Sequence, residues 1–213
     1  MQRQSLSHNL EDEVRDLVVR GELSGRVNEV HLAEQLTVSR TPLREALTRL
    51  AGEHFLEAKP RHGFFVPPLT VDEVHQLYPI RARLDPWALE LAGIPDKDAF
   101  FKLHELNERL GAARSAEQVI ALDDEWHLLL LAHCPNRVLV DLIQQMIWRT
   151  RRYEQAYFRA TKNIGNAYEE HGKLLTALRK KDLALACKRL ADNMTSAIPE
   201  LVAWLGAPKA VQP

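Results

Sequence analysis

Cysteine is scarce in this chain: Cys134 and Cys187 are the two in 213 residues, and neither lies in a C-x-x-C pair. That excludes a disulfide scaffold and a paired-thiol redox site, and it fits a reducing compartment in which both act as small buried apolar groups. Long apolar runs are missing too. The greasiest stretch, WHLLLLAHC from Trp126 to Cys134, is far too short to span a bilayer, and the opening MQRQSLSHNLEDEVRD has no signal-peptide core. The sequence therefore reads as a cytoplasmic protein with no membrane partner. An excess of charge of one sign is also absent. With 28 Lys and Arg against 29 Asp and Glu, the net charge is −1, so a polyanionic partner would have to be met by a local basic face. What remains is 46% hydrophobic, enough for one large core or two small ones, with no internal repeat and no low-complexity segment.

Helical periodicity covers nearly the whole chain. Leu10, Val14, Leu17 and Val18 share one face of a helix over about 6–20, which Gly21 is placed to stop. A second helix is expected over 29–36. A third starts at Ser39, whose hydroxyl suits a cap, with Pro42 in the first turn where a missing N–H costs little, and Gly52 ends it. Strand-like runs occur in one place, 55–58 and 64–66, around the turn-forming tip KPRHG, which reads as a small hairpin. After Pro67-Pro68, TVDE at Thr70–Glu73 is a capping box in which Glu73 reaches back to the cap. A new domain of six helices begins there, over about 71–93, 97–112, 116–133, 136–160, 163–180 and 183–205, with a weak polar break near Lys162. The fold expected is mainly α: a winged helix-turn-helix over 1–69, an all-α effector-binding and dimerisation bundle over 70–208, and a tail from 209 to 213.

Three helices and a hairpin form the layout of a winged helix-turn-helix, whose third helix enters the DNA major groove. Arg40 and Arg44, one turn apart, stack on one face, while Leu43, Leu47 and Leu50 turn to the core. The planar arginine fork matches the O6 and N7 acceptors of guanine, and Ser39 and Thr41 stand where a helix start can hold phosphate. Between residues 40 and 62, Arg40, Arg44, Arg49, Lys59 and Arg61 outnumber Glu45, Glu53 and Glu57 by two. Arg49 is included among the DNA contacts, as are Arg61, His62 and Gly63 at the hairpin tip. The alternative is an ordinary solvated helix whose arginines pair with Glu45 or Glu53.

The stretch NEVHLAEQLTVSRTPLREALTRLAGEHFLEAKPRHGFFV resembles the DNA-binding domain of GntR-family transcription regulators. The resemblance implies that Arg40, Arg44, His62 and Gly63 meet DNA, and that Glu29, Leu32, Ala33, Leu43, Ala46 and Leu50 hold the three helices together. Two positions depart from the pattern: Val30 stands where some members carry a basic contact, and LSGRVNE replaces the usual Pro-Gly before the second helix.

In the second domain, LDDEWHLLLLAHCPN projects Asp123 and His127 from one helical face, one turn apart. Metal coordination is one way to satisfy such a pair, and a hydrogen-bonded pair or a solvated edge is the alternative. LYPIRARLDPWALELA, DDEWHLLLLAHCPN and EEHGKLLTALRKKDLALACKRLADN are similar to the FCD effector-binding domain of the FadR-type branch of that family. The resemblance implies a divalent metal (zinc, nickel or manganese) on one Asp and three His, at positions that fall on Asp123, His127, His171 and Asn193. The last departs from the pattern, and an amide oxygen suits harder cations better than zinc or nickel. It also implies a small carboxylate effector, with Arg81 as the first candidate to grip it and Arg149, Arg152 and Tyr153 as further ones. The reading is a ligand-responsive homodimeric regulator, expected to repress, that binds a pseudo-palindromic double-stranded operator. The rival is a helical metalloenzyme using Asp123, His127 and His171 with an open position for water.

Overall fold

The computed structural model describes residues 2–161 and 166–207, with residues 2–9 described by their backbone alone. The expected helix start at 163, the break near Lys162 and the tail from 209 to 213 fall outside the described residues. The chain divides into two compact units, residues 1–69 and 70–213.

The first unit holds α1 (Gln2–Val19), α2 (Glu29–Gln35), α3 (Arg40–Gly52), β1 (Glu57–Lys59) and β2 (Gly63–Phe65). Leu10, Val14, Leu17 and Val18 of α1 are buried, as are Leu43, Ala46, Leu47 and Leu50 of α3, on which α1 packs. Gly21, with φ 73, closes α1 in the left-handed conformation that glycine adopts without strain. Ser39 takes the cap position of α3 but makes no side-chain capping bond, contrary to expectation. Phe55 and Leu56 belong to the core rather than to the first strand, at 1% and 2% exposure. Their backbone N–H groups both bond back to Leu50 O and close the end of α3, so the ladder begins only at Glu57.

The hairpin pairs Glu57 with Phe65 and Lys59 with Gly63. The LSGRVNE segment lies alongside it: Val27 donates to Phe64 O at 2.9 Å and Val66 donates to Gly25 O at 2.8 Å. Gly25 (φ 60) makes the turn, Val27 is buried, and Asn28 caps α2 by accepting from the N–H of Val30 and His31. The departure from Pro-Gly thus has a structural role of its own.

The second unit is α4 (Val71–Ala92), α5 (Lys97–Ala112), α6 (Ala116–Leu130), α7 (Arg137–Thr161), α8 (Ala167–Arg179), α9 (Leu183–Ser196) and α10 (Ile198–Gly206). Thr70, Asp96, Ser115 and Asp182 each cap the helix that follows, accepting from the N–H three residues on. Leu89, Leu103, Trp126, Leu131, Ile143, Leu174 and Leu190 form the core, and α4 packs against α7, α9 and α10. The helix expected over 183–205 is two helices. Pro199 sits in the first turn of α10, where its missing N–H and its ring prevent α9 from running through. Among the described residues no helix is long and apolar enough to cross a membrane.

Candidate functional site

Two sites emerge, one in each unit. In the first, the start of α3 and the hairpin tip line one groove, which Arg40, Arg44, Lys59, Arg61, His62 and Gly63 share with Arg26 and Asn28. Ser39, Arg40 and Thr41 are exposed beside it. Arg44 is 63% exposed on its side chain and held at 3.5 Å by Glu29, so Glu29 orients an arginine as well as starting α2. At the tip, His62 N–H closes a turn onto Lys59 O at 3.0 Å with Pro60 second and Arg61 third. Arg61 has φ 63, in a position that usually takes glycine and that costs another residue about 1–3 kcal/mol. Arg26 and Asn28 escaped the sequence reading because the segment that carries them looks like a loop until it pairs with the hairpin.

Arg49, also expected at the DNA, has a partner in α1. It lies about 140° around α3 from Arg44 at 3.6 residues per turn, and its Nε pairs with Glu11 of α1. Glu11 also receives Arg15, at 3.9 Å, and its side chain is 5% exposed. Arg49 therefore ties α3 to α1, and its half-exposed side chain also lines a shallow surface with Arg40, Thr41 and Arg44.

In the second unit, α6 and α8 bring Asp123, His127 and His171 together. His127 Nε2 lies 3.3 Å from His171 Nε2, and Asp123 lies 3.3 Å from His171 and 3.7 Å from His127. One ligand atom from each residue falls within 4.8 Å of the others. Trp126, pinned by its indole N–H on Leu103 O at 3.0 Å, stacks on the His171 ring at 3.7 Å and 6°. Burial holds both imidazoles neutral, with His127 well below its usual range and His171 at about 3. Burial, and then Glu154, raise Asp123 to about 7. The two neutral imidazoles are donors in the state a divalent cation requires, and Asp123 would release its proton on binding one. The Nδ1 atoms of both histidines are buried without a hydrogen-bond partner, so stacking on Trp126 orients His171 where a hydrogen bond to the far nitrogen usually would.

Asn193 of α9 donates from Nδ2 to Glu170 at 2.6 Å. A carboxylate only accepts, which fixes the amide with Oδ1 pointing elsewhere. That oxygen is buried and has no hydrogen-bond partner, and Asn193 shares one cavity wall with Asp123 and His127. The residues present therefore fit a cation: Asp123, His127 and His171 would hold it, with Asn193 Oδ1 as an additional oxygen.

The cavity beside this cluster measures about 150 Å³ and is lined also by Tyr78, Arg81, Glu154, Tyr157 and Phe158. Arg81 is buried and bound to Asp85 at 2.8 Å and to Thr150 at 3.3 Å. Arg149, Arg152 and Tyr153, expected as effector contacts, are not among the residues that line this cavity. Arg149 pairs with Glu73 at 2.6 Å, Tyr153 donates to Glu73 at 2.6 Å, and Glu73 is the first charged group that Arg152 feels. These α7 residues gather at the start of α4 around a carboxylate that was expected to serve only its own cap.

Residues 6–66 match the family of bacterial regulatory proteins called gntR, and residues 76–196 match the FCD domain. The Nta operon transcriptional regulator of Aminobacter aminovorans is 34% identical over 160 residues, which span 74% of this chain and 76% of that protein. The HTH-type transcriptional regulator McbR of Escherichia coli strain K12 is 29% identical over 191 residues, 85% of this chain and 86% of the relative. The HTH-type transcriptional repressor GlaR of the same strain is 24% identical over 174 residues, 74% of this chain and 77% of that one. The solved structure of E. coli McbR/YncC superposes with a TM-score of 0.81 at 27% identity, covering 93% of this chain and 98% of that chain. These relatives are transcription regulators and not enzymes, which removes the hydrolytic reading of the Asp123 cluster. The chain belongs to the GntR family of bacterial regulatory proteins, in the FadR-type branch that carries an FCD domain, and is a DNA-binding transcription regulator.

Proposed function

We propose that this regulator binds a pseudo-palindromic operator as a homodimer, represses in its ligand-free form, and responds to a small molecule in the cavity of its second unit. A divalent metal (zinc, nickel or manganese) on Asp123, His127 and His171, with Asn193 Oδ1, takes part in that site. The observation that supports ligand response is the convergence of these donors beside a cavity. A two-fold protein reads two half-sites about one helical turn apart, or a multiple of that distance, which motivates the dimer. GlaR, named a transcriptional repressor, supports repression. A small carboxylate, the effector class implied by the resemblance, would find the fork of Arg81 already engaged by Asp85, so the metal would have to anchor it.

The test is operator affinity, on DNA selected from a random pool, with and without metal and saturating ligand. Ligand response requires different ligand affinities in the DNA-bound and DNA-free states, and couplings of this kind are worth about 1–3 kcal/mol, or roughly 5–150-fold. An operator Kd unmoved by any compound that calorimetry shows to bind the protein would reduce it to a DNA-binding module without a sensor. Sedimentation showing a monomer on a single half-site would remove the dimer.

A further inference from the structure

We infer that Val30 reads the methyl group of a thymine in the operator half-site, beside the bases that Arg40 and Arg44 contact. The inference rests on the groove of the first unit being the DNA surface. Val30 lines that groove together with both arginines and is 49% exposed. Leu32 and Ala33 carry the buried side of α2, at 2% and 4% exposure, so Val30 stands on the open side. Glu29, the residue before it, reaches Arg44 at 3.5 Å. Val30 is therefore one position along the chain from the group that orients an arginine fork.

An exposed apolar residue is ordinary on a protein surface as a whole, but this one lies among groups of another kind. The exposed side chains of Arg26, Arg40, Arg61 and His62 in the same groove carry charge or hydrogen-bonding atoms. Val27 and Phe64, which also line it, are turned to the core at 4% and 5% exposure, and the exposed Ala58 and Pro60 belong to the hairpin. A valine side chain has no charge, donor or acceptor, so it can neither hold a phosphate nor bond the polar edge of a base. In the major groove a base pair offers one apolar group, the C5 methyl of thymine, and that methyl is recognised by apolar contact. Valine also makes a stiff probe. Its two branches on Cβ leave one preferred rotamer in a helix, and Asn28 Oδ1 pins its backbone by accepting the Val30 N–H at 3.2 Å. The residue thus adds sequence preference at a base pair that the arginine forks do not serve.

The test uses the full chain and an operator selected from a random DNA pool by the wild type. Each thymine of one half-site is replaced in turn by deoxyuridine, which deletes the methyl and keeps every hydrogen-bonding group, and Kd is measured by fluorescence anisotropy at fixed salt. One replacement is expected to weaken the wild type about four-fold, equivalent to ~0.8 kcal/mol for one buried CH2-sized group. The same replacement should cost Val30→Ala and Val30→Ser less than about two-fold, the margin within which independent changes add. Position 30 is exposed and alanine is a better helix former than valine, so the fold is kept. Arg44→Ala on the unmodified operator reports on the groove itself. If deoxyuridine costs the wild type and both Val30 variants equally, another group reads the methyl and the proposal is overturned. If no replacement weakens the wild type while Arg44→Ala does weaken binding, the proposal is overturned and the groove stands as the DNA surface. If neither the replacements nor Arg44→Ala change the affinity, the groove is not the DNA surface and both readings fall.

Discussion

The phenol oxygen of Tyr153 accepts the backbone N–H of Thr70 at 3.0 Å, across 83 positions of sequence. Thr70 caps α4 by accepting from Glu73 N–H at 3.1 Å, and in an isolated helix the Glu73 side chain would return the favour to the Thr70 N–H. Here Tyr153 takes over that half of the cap, and Glu73 is drawn away to Tyr153 and Arg149. The start of the second unit is thereby fastened to the middle of α7. Tyr153→Phe removes the hydroxyl from both bonds and is expected to cost about 1–3 kcal/mol. At roughly 2–4 °C per kcal/mol for a chain of this length, thermal unfolding followed by circular dichroism should show a midpoint several degrees lower. A change under 1 °C would mean that water replaces the phenol at no cost.

Gly111 sits inside α5 with the ring of Tyr168 against it: a Cβ added there would lie 2.6 Å from Tyr168 Cδ2 and 3.1 Å from Cγ. Helix propensity alone favours Gly111→Ala by about 1 kcal/mol. The clash reaches the root of the ring, and Tyr168 is held by the Asn107 amide on its carbonyl at 3.1 Å, so α8 itself has to shift. Overpacking of this kind costs about 1–3 kcal/mol and should outweigh the propensity gain. Urea denaturation of Gly111→Ala, Tyr168→Ala and the double variant measures the coupling: the double variant should be more stable than the sum of the two single changes. Strict additivity would show that the ring steps aside freely.

The elements that periodicity governs were legible in the sequence. The apolar spacing in α1 and α3, the turn-rich tip and the helix breaks after Ala92 and Ala112 all appear where local chemistry sets them. Asp123 and His127 were readable as a pair because a helix fixes i and i+4 on one face, whereas the placing of His171 against them came from the family resemblance. What local pattern could not supply was the choice among partners remote in sequence. Nothing near Arg49 in sequence announces Glu11, nothing near Glu73 announces Tyr153, and the pairing of Arg26 with Phe65 exists only once the hairpin has formed. The four carboxyl groups that line the cavity likewise come from four helices, α6, α7, α8 and α10.

Arg44 and Arg49 lie on one helix and should respond differently to removal. Arg44, exposed in the groove and oriented by Glu29, is expected to lose about 1–3 kcal/mol of operator binding on change to Ala, with folding stability little altered. Arg49→Ala strips a cation from the nearly buried Glu11. Its effect should fall on thermal stability, with operator affinity changing less than that of Arg44→Ala. Fluorescence anisotropy at several salt concentrations separates the two, because log K falls by about 0.9 per neutralised phosphate against log salt. Equal losses of operator affinity in both variants would place Arg49 among the DNA contacts beside Arg44.

The metal prediction turns on Asn193. Its carbonyl oxygen is a weaker partner for zinc or nickel than the imidazole of the family pattern, and its amide is occupied by Glu170 at 2.6 Å. Asn193→His places a nitrogen on the same α9 turn and keeps an N–H for Glu170, so both parts of the residue's present role have a counterpart. Zinc affinity, measured by competition with a chromophoric chelator, should rise by about ten-fold or more, a scale comparable to that on which a single supporting partner moves metal affinity. His127→Ala should abolish uptake at the same concentrations, since it removes one of the two imidazoles within reach of Asp123. If Asn193→His leaves zinc affinity unchanged while His127→Ala abolishes it, the metal is held by Asp123, His127 and His171 alone, and position 193 serves the cavity instead. If neither substitution matters because the wild type takes up no metal, the two buried imidazoles are packing groups that Trp126 stacks into the core.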